Sequence, residues 1–457
     1  MRLAPTAVLL AALVAPSAAS ASVATTADGP LRYTAAPGEI NNVTLARVTG
    51  DTFRVADVGA TIQAGTGCTQ ESPNVVACTT AAGRSLIARL GDQDDIAVSR
   101  TSRSAQLFGE AGSDRLTGAS GRDTLLGGDG SDTLSGGSSP DTLDGGIGDD
   151  ALAGGSSGDR LRGGAGRDAL DGGTSGDSLG GGSGDDILHG GSGDDAMSGG
   201  SEDDIFAEDA AANGSDRIYG DTGFDTADYG ARTGNLLVDL NSVRDDGDLR
   251  AGERDDVRTD RVVSGSGKDQ LFGDEHGGDT LASGAGDDFV DGRRGADNVD
   301  AGPGLDQIAA RDLSGDTITC GEGPDSVAAD RLDNTAPDCE KVRREASMTL
   351  ALAARAAYPT VLLRLSCPRT AFKACGGRVI VRTLKRVRTR EGARILTVGV
   401  RRFAVPAGSE RIIGMRIRAA ARPFLGRDGL VVRAALSGFD GAGPARRDAI
   451  RFRLLRR

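Results

Sequence analysis

Tryptophan is absent from this 457-residue chain, aromatic residues make up 3% of it, and the only histidines are His189 and His276. So few large apolar side chains exclude a broad conventional core. Histidines 87 positions apart exclude the H-E-x-x-H zinc motif, whose pair must share one helix face. Cysteine is scarce too: six residues, with no C-x-x-C among them, which removes the commonest zinc spacing. A P-loop and a dinucleotide fingerprint are also missing. Beyond the first residues no apolar run approaches the ~20 residues that a membrane span needs. Gly154-Gly155-Ser156-Ser157-Gly158 matches G-x-S-x-G, but with no helix predicted after it the match reads as coincidence. The expectation is a protein that is not an enzyme.

Glycine is what the chain has in excess: 70 residues, about 15%, roughly twice ordinary usage. Much of it is periodic. From Gly109 to Ala207 eleven nine-residue units follow one another, such as Gly127-Gly128-Asp129-Gly130-Ser131-Asp132-Thr133-Leu134-Ser135. The sixth position is always aspartate: Asp114, Asp123, Asp132, Asp141, Asp150, Asp159, Asp168, Asp177, Asp186, Asp195 and Asp204. The eighth is leucine from Leu116 to Leu188, then Met197 and Phe206. A glycine-rich charged segment without a period would read as disordered. A fixed period with an apolar column reads as stacked coils.

The units resemble the RTX (haemolysin-type) repeat, G-G-x-G-x-D-x-U-x with U large and apolar. That resemblance implies an all-β fold, a parallel β-roll with two nonapeptides per coil, each a six-residue turn and a three-residue strand. It also implies several Ca2+ ions. Glycine allows backbone carbonyls to point into the turn, and calcium takes six to eight oxygens. Coils about 4.8 Å apart would let turns eighteen residues apart share an ion, so Asp132 would share ions with Asp114 and Asp150. Ser139, Ser157 and Ser175 replace the fourth-position glycine at eighteen-residue intervals, between units that keep Gly130, Gly148, Gly166 and Gly184. This alternation is expected if odd and even units occupy opposite edges. The glycine-complete edge, with Gly127, Gly130, Gly145, Gly148, Gly163, Gly166, Gly181 and Gly184, is the expected place for tightly held calcium. On the other edge Gly158 and Gly176 are expected to assume the left-handed angle. Pro140 and Glu202 predict irregular turns at Asp141 and Asp204.

A looser array follows, with Asp216 and Asp225, then Asp269, Asp279, Asp288, Asp297, Asp306, Asp316 and Asp325. It is expected to extend the roll with fewer or weaker ions, ligands including Asp216, Asp225, Asp269, Asp288 and Asp297. Between the arrays, Asp245 to Asp256 read as a solvated acidic loop, a calcium site outside the repeats being the alternative. The expected organisation is 1–21 signal peptide, 22–100 amino-terminal β-cap, 101–228 regular roll, 229–263 acidic insertion, 264–344 degenerate roll with a disulfide cap, and 345–457 basic domain. Stretches 349–356, 360–367, 377–384, 393–400, 411–418, 429–436 and 449–455 read as seven strands of an immunoglobulin-like β-sandwich.

Arg2, nine apolar residues from Ala7 to Ala15 and Ala19-Ser20-Ala21 fit a secretory signal. An extracellular location, secreted or wall-associated, is therefore expected. RTX proteins exported with a carboxy-terminal signal lack such a segment, so general secretion is the better expectation. In an exported chain the cysteines point to disulfides. Fifteen pairings are formally open; the local ones, Cys68/Cys78, Cys320/Cys339 and Cys367/Cys375, are favoured by proximity. Residues 341–457 hold 28 of the 53 basic but 6 of the 66 acidic residues, leaving about −35 on the first 340 and about +22 on the rest. Such a division points to separate modules. The basic one offers a surface to an anionic cell-wall or extracellular polymer, solubility being the simpler reading. Nucleic acid is not an expected partner.

Overall fold

The computed structural model describes residues 21–344, apart from positions 28, 242, 244, 249, 276, 313 and 331, and the backbone of the strands within 349–454. The chain divides into two compact units, Met1–Gln307 with Ile318–Pro324, and Ile308–Thr317 with Asp325–Arg457. Among the described residues every regular element is a β-strand. No helix there is long and apolar enough to cross a membrane. The signal-peptide segment lies outside the described residues.

In the first unit, successive nonapeptides alternate between two parallel sheets. One holds Thr124–Asp129, Thr142–Ile147, Arg160–Ala165, Ser178–Ser183 and Ala196–Ser201; the other holds Thr133–Ser138, Ala151–Ser156, Ala169–Thr174 and Ile187–Ser192. Leu125 pairs with Leu143 and Leu134 with Leu152, so one coil is eighteen residues. The strands are six residues long rather than three, because the Gly-Gly pair stays in the ladder, Gly128 opposite Gly146. The eighth-position column closes between the sheets, from Leu107 at 0% exposure through Leu161 at 4% to Phe206 at 0%. Each such leucine contributes about 1.5–3 kcal/mol by burial, and the column is all the apolar core a coil has. The G-x-S-x-G match spans the strand Ala151–Ser156 and the turn after it, and no helix follows.

Residues 22–80 form antiparallel pairs, such as Asn42–Thr49 with Thr52–Asp57, that join the stacks in parallel. Leu31–Thr34 lies beside Leu86–Gly91 in one sheet and Asn42–Thr49 beside Ile96–Arg100 in the other. Cys68 and Cys78 face each other across an antiparallel pair and form a disulfide.

After the regular array Arg217–Thr222 and Asp256–Arg258 extend the first sheet, while Thr226–Asp228, Arg261–Val263, Thr280–Ala282 and Asn298–Asp300 extend the second. A third parallel sheet begins at Leu237–Asp239 and continues through Gln270–Phe272 and Phe289–Asp291. Cys320 and Cys339 are each disulfide-bonded. The expected Cys367/Cys375 bridge lies outside the described residues.

In the second unit Ser326–Ala329 pairs in parallel with Lys341–Arg344. Strands occupy each of the seven stretches anticipated from 349 onward. Thr349–Ala354, Thr360–Ser366 and Glu410–Arg416 form one antiparallel sheet. Thr397–Val405, Cys375–Thr383, Leu430–Phe439 and Ala449–Leu454 form another.

Candidate metal centre

The sixth-position aspartates form two ladders, one along each edge of the roll. On one edge the amide of Asp114 donates to Oδ1 of Asp132 (2.7 Å), Asp132 to Asp150 (2.7 Å), Asp150 to Asp168 (2.8 Å), Asp168 to Asp186 (2.8 Å), and Asp186 to Asp204 (2.8 Å). On the other, Asp123 donates to Asp141 (2.6 Å), then Asp159, Asp177, Asp195 and Asp216 continue at 2.7 Å. Each carboxylate is therefore held one coil from the next, because its Oδ1 caps a backbone amide below it. None of the eleven regular ones exceeds 4% exposure.

The second oxygen carries the chemistry. Oδ2 is buried without a hydrogen-bond partner in Asp114, Asp132, Asp141, Asp150, Asp159, Asp168, Asp177, Asp186, Asp195, Asp204 and Asp216. Asp123 is different, since its Oδ2 accepts the Ala119 amide at 3.0 Å. A buried unpaired carboxylate oxygen is costly, and here the cost recurs every nine residues. Burial pushes Asp114, Asp141, Asp150, Asp177 and Asp204 up to about 7, and Asp216 to about 8; the amide on Oδ1 opposes this. Like charge one coil away adds to the rise, from Asp168 and Asp132 at Asp150. Asp123, Asp132, Asp159, Asp168 and Asp195 shift in the same direction, again chiefly by burial. A column of buried carboxylates with free oxygens and like charge one coil away fits a hard, oxygen-seeking ion.

The glycines shape the cradle in two ways. Gly130, Gly148, Gly166 and Gly184 have φ between 112° and 134°, the left-handed turn that glycine adopts freely. First-position glycines are needed for room instead. A Cβ on Gly127, Gly145, Gly163 or Gly181 would stand 2.0–2.3 Å from the Oδ2 of Asp132, Asp150, Asp168 or Asp186.

Two expectations about the turns are corrected, at Gly158/Gly176 and at Glu202, and the irregular turn expected at Pro140 is present but leaves its aspartate in place. Gly158 and Gly176 do not take the left-handed angle; Ser157 and Ser175 take it themselves, at φ 85° and 82°. The stacking demands it: Ser157 donates its amide to Thr174 O as Gly130 does to Ile147 O. Ser139, preceding Pro140, opens further to 154°, yet Asp141 keeps its rung. Proline restricts the residue before it, and the ladder absorbs the change. Glu202 adopts φ 74°, and Asp204 is likewise in register.

The ladders run past the regular units. Asp95 donates to Asp114 and accepts from Asn41. Asp204 donates to Asp225, Asp225 to Asp260, and Asp216 to Asp255. In the later array Asp269 donates to Asp288, Asp288 to Asp306, and Asp279 to Asp297. Asp269 and Asp288 also keep an unpartnered Oδ2. Asp95, Asp255 and Asp260 were not among the expected ligands. Gly91-Asp92-Gln93-Asp94-Asp95 does carry the repeat's glycine-to-aspartate spacing, whereas Asp255 and Asp260 have no spacing signal.

The solvated reading of the acidic stretch is also corrected. Asp246 and Asp255 are 0% exposed, Glu253 3% and Asp256 5%, because strand pairing of Asp256–Arg258 draws the stretch into the roll. His189 lies between Asp171 (3.3 Å) and Asp209 (3.2 Å), on the surface.

The family model of the RTX calcium-binding nonapeptide repeat, in four copies, matches residues 108–143, 126–160, 144–179, 171–206, 211–228 and 277–308. No curated protein matches the chain. Within residues 108–308 the matched segments therefore carry RTX calcium-binding nonapeptide repeats, and among the described residues, all of whose regular elements are strands, they are wound as a parallel β-roll.

Proposed function

We propose that this is a secreted calcium-binding protein whose roll takes up Ca2+ along both aspartate ladders and folds as it does so. The observation that carries the reading is the row of buried Oδ2 atoms without partners. Asp132, Asp150, Asp168 and Asp186 would hold ions on one edge, and Asp141, Asp159, Asp177 and Asp195 on the other. Glycine turns would supply carbonyl oxygens. The bound ion supplies positive charge between carboxylates that otherwise repel. Each repeat buries one leucine, too little to order nine residues against that repulsion, so metal binding and folding are coupled. Such a chain would stay loose where calcium is scarce and fold outside the cell, where modules of this kind bind at about 10⁻⁴–10⁻³ M. The signal-like start and the disulfide at Cys68–Cys78 support export. In this reading residues 22–100 cap the open end of the stack, and 345–457 form an immunoglobulin-like sandwich.

The test is circular dichroism of the full chain as calcium is raised from chelator to millimolar levels. A cooperative gain of β-structure is expected; an unchanged spectrum overturns the reading. The charge division favours a second role, in which 345–457 attaches a calcium-scaffolded protein to an anionic cell-wall polymer. Cell-wall pull-down of the full chain and of a chain ending at 344 tests it: equal retention of both removes that role.

A further inference from the structure

Where the regular array ends, a different acidic site is built. Glu208 occupies the first position of its unit, where Gly172 and Gly190 stand in earlier coils of the same edge. A Cβ at those glycines would lie 2.6 and 2.5 Å from the next aspartate's Oδ2. Between Glu208 and Asp216 the chain is three residues longer than between Gly190 and Asp195. The longer loop makes room for a carboxylate, and the Glu208 side chain is 1% exposed. Carboxylate oxygens of Glu208, Glu253 and Asp255 lie within 4.8 Å of one another, all three residues buried. Asp216 adjoins them, its amide donating to Oδ1 of Asp255 at 2.9 Å.

Two oxygens of this group have no partner: Oε1 of Glu208 and Oδ2 of Asp216. Among the described residues the cation bonded to it is Arg232, itself 3% exposed. It donates to Glu208 Oε2 (3.2 Å), to Glu253 Oε1 (2.9 Å) and Oε2 (3.2 Å), and to Asn213 Oδ1 (2.8 Å). Tyr229 donates its hydroxyl to Asp255 Oδ2 at 2.8 Å. One guanidinium, bonded to Glu208 and Glu253, thus stands in a group of four buried carboxylates, and buried charge left uncompensated is strongly unfavourable.

We propose that this junction is a calcium site separate from the nonapeptide sites, its ion held by Glu208, Glu253, Asp255 and the free oxygen of Asp216. An all-oxygen, polyacidic donor set selects a hard divalent cation. Arg232 offsets part of the remaining charge. The donors come from three stretches of chain, so the ion clamps the segment after Asp228 onto the end of the regular array.

Terbium, a luminescent stand-in for calcium, separates this site from the repeats. No aromatic residue lies between Gly109 and Ile205, whereas Tyr229 touches the junction. Full-length protein titrated with terbium and excited at tyrosine should emit, and calcium should compete. Tyr229→Phe keeps all four carboxylates; it should retain the calcium-induced β-structure and lose the emission, while Tyr219→Phe loses neither. Glu208→Gln should raise the half-saturating terbium concentration about tenfold or more. A dark titration of the parent, or emission from Glu208→Gln equal to the parent's, overturns the proposal. A dark titration accompanied by the calcium-induced gain of β-structure removes this site alone and leaves the repeat reading standing.

Discussion

Replacing Asp150 with asparagine should change sign between calcium and chelator. Asp150 is 3% exposed; its Oδ1 accepts the Asp132 amide at 2.7 Å and its amide donates to Asp168 at 2.8 Å. Asparagine keeps both bonds, since its Oδ1 remains an acceptor. What it removes is the charge and the free Oδ2. Without calcium that charge is a liability, because Asp132 and Asp168 stand one coil to either side. At about 4.8 Å and an effective dielectric of about 20, each pair repels by on the order of 3 kcal/mol before salt screening. In chelator the variant should therefore be at least as ordered as the parent, with relief of roughly 1–3 kcal/mol after screening. With calcium it should lose a ligand shared by two sites, raising the midpoint of the calcium-induced transition about tenfold, or roughly 1.4 kcal/mol per site. Circular dichroism across a calcium titration reads both effects. A variant less ordered than the parent in chelator, with an unchanged calcium midpoint, would mean that Asp150 is a structural hydrogen-bonding residue and would refute the reasoning.

Gly163→Ala, whose Cβ would meet Asp168 Oδ2 at 2.3 Å, should displace that carboxylate and weaken calcium uptake, with an overpacking cost of about 1–3 kcal/mol. Gly180→Ala meets nothing within 4 Å and should behave as the parent in the same titration; equal loss in both would contradict the cradle. Leu152→Ala, in the column at 3% exposure, should cost about 2–5 kcal/mol in urea unfolding with calcium present; a loss below about 0.5 kcal/mol would contradict a packed column. Acid should act oppositely on the two states. Asp114, Asp141, Asp150, Asp177 and Asp204 rise from 3.8 to about 7 in the calcium-free roll, so the folded chain binds protons more tightly than the unfolded one. Calcium-free stability should then be highest near pH 4 and fall as pH rises to about 7. Calcium, which competes for the same oxygens, should bind more tightly at about pH 8 than at about pH 5. Titrations at the two pH values check this, and a midpoint independent of pH would count against the buried carboxylates as ligands.

The regular array was legible because its geometry is local and repeats. The leucine column and the aspartate at each turn follow from the nine-residue period, while the two-nonapeptide coil was implied by the RTX resemblance and supported by the eighteen-residue spacing of Ser139, Ser157 and Ser175. Register pairs such as Leu134 with Leu152 have the predicted eighteen-residue offset. The Ser/Gly alternation marked the two edges, since residues eighteen apart share one environment. What failed was the assignment of backbone angle within a turn. Gly158 looked like the residue to take the left-handed conformation, but hydrogen bonds between coils impose it on Ser157.

The sequence by itself thus determined the coil, its core and its regular acidic positions, because each follows from neighbours along the chain. Only the tertiary structure decided which oxygen of each aspartate is left free, since that depends on an amide one coil away. It alone also carried the ladders on to Asp255 and Asp260, at separations of 39 and 35 residues where no period survives. And it turned the acidic stretch inward, because pairing of Asp256–Arg258 with Arg217–Thr222 buries Asp255 and Glu253 against Glu208, a meeting that local spacing does not encode.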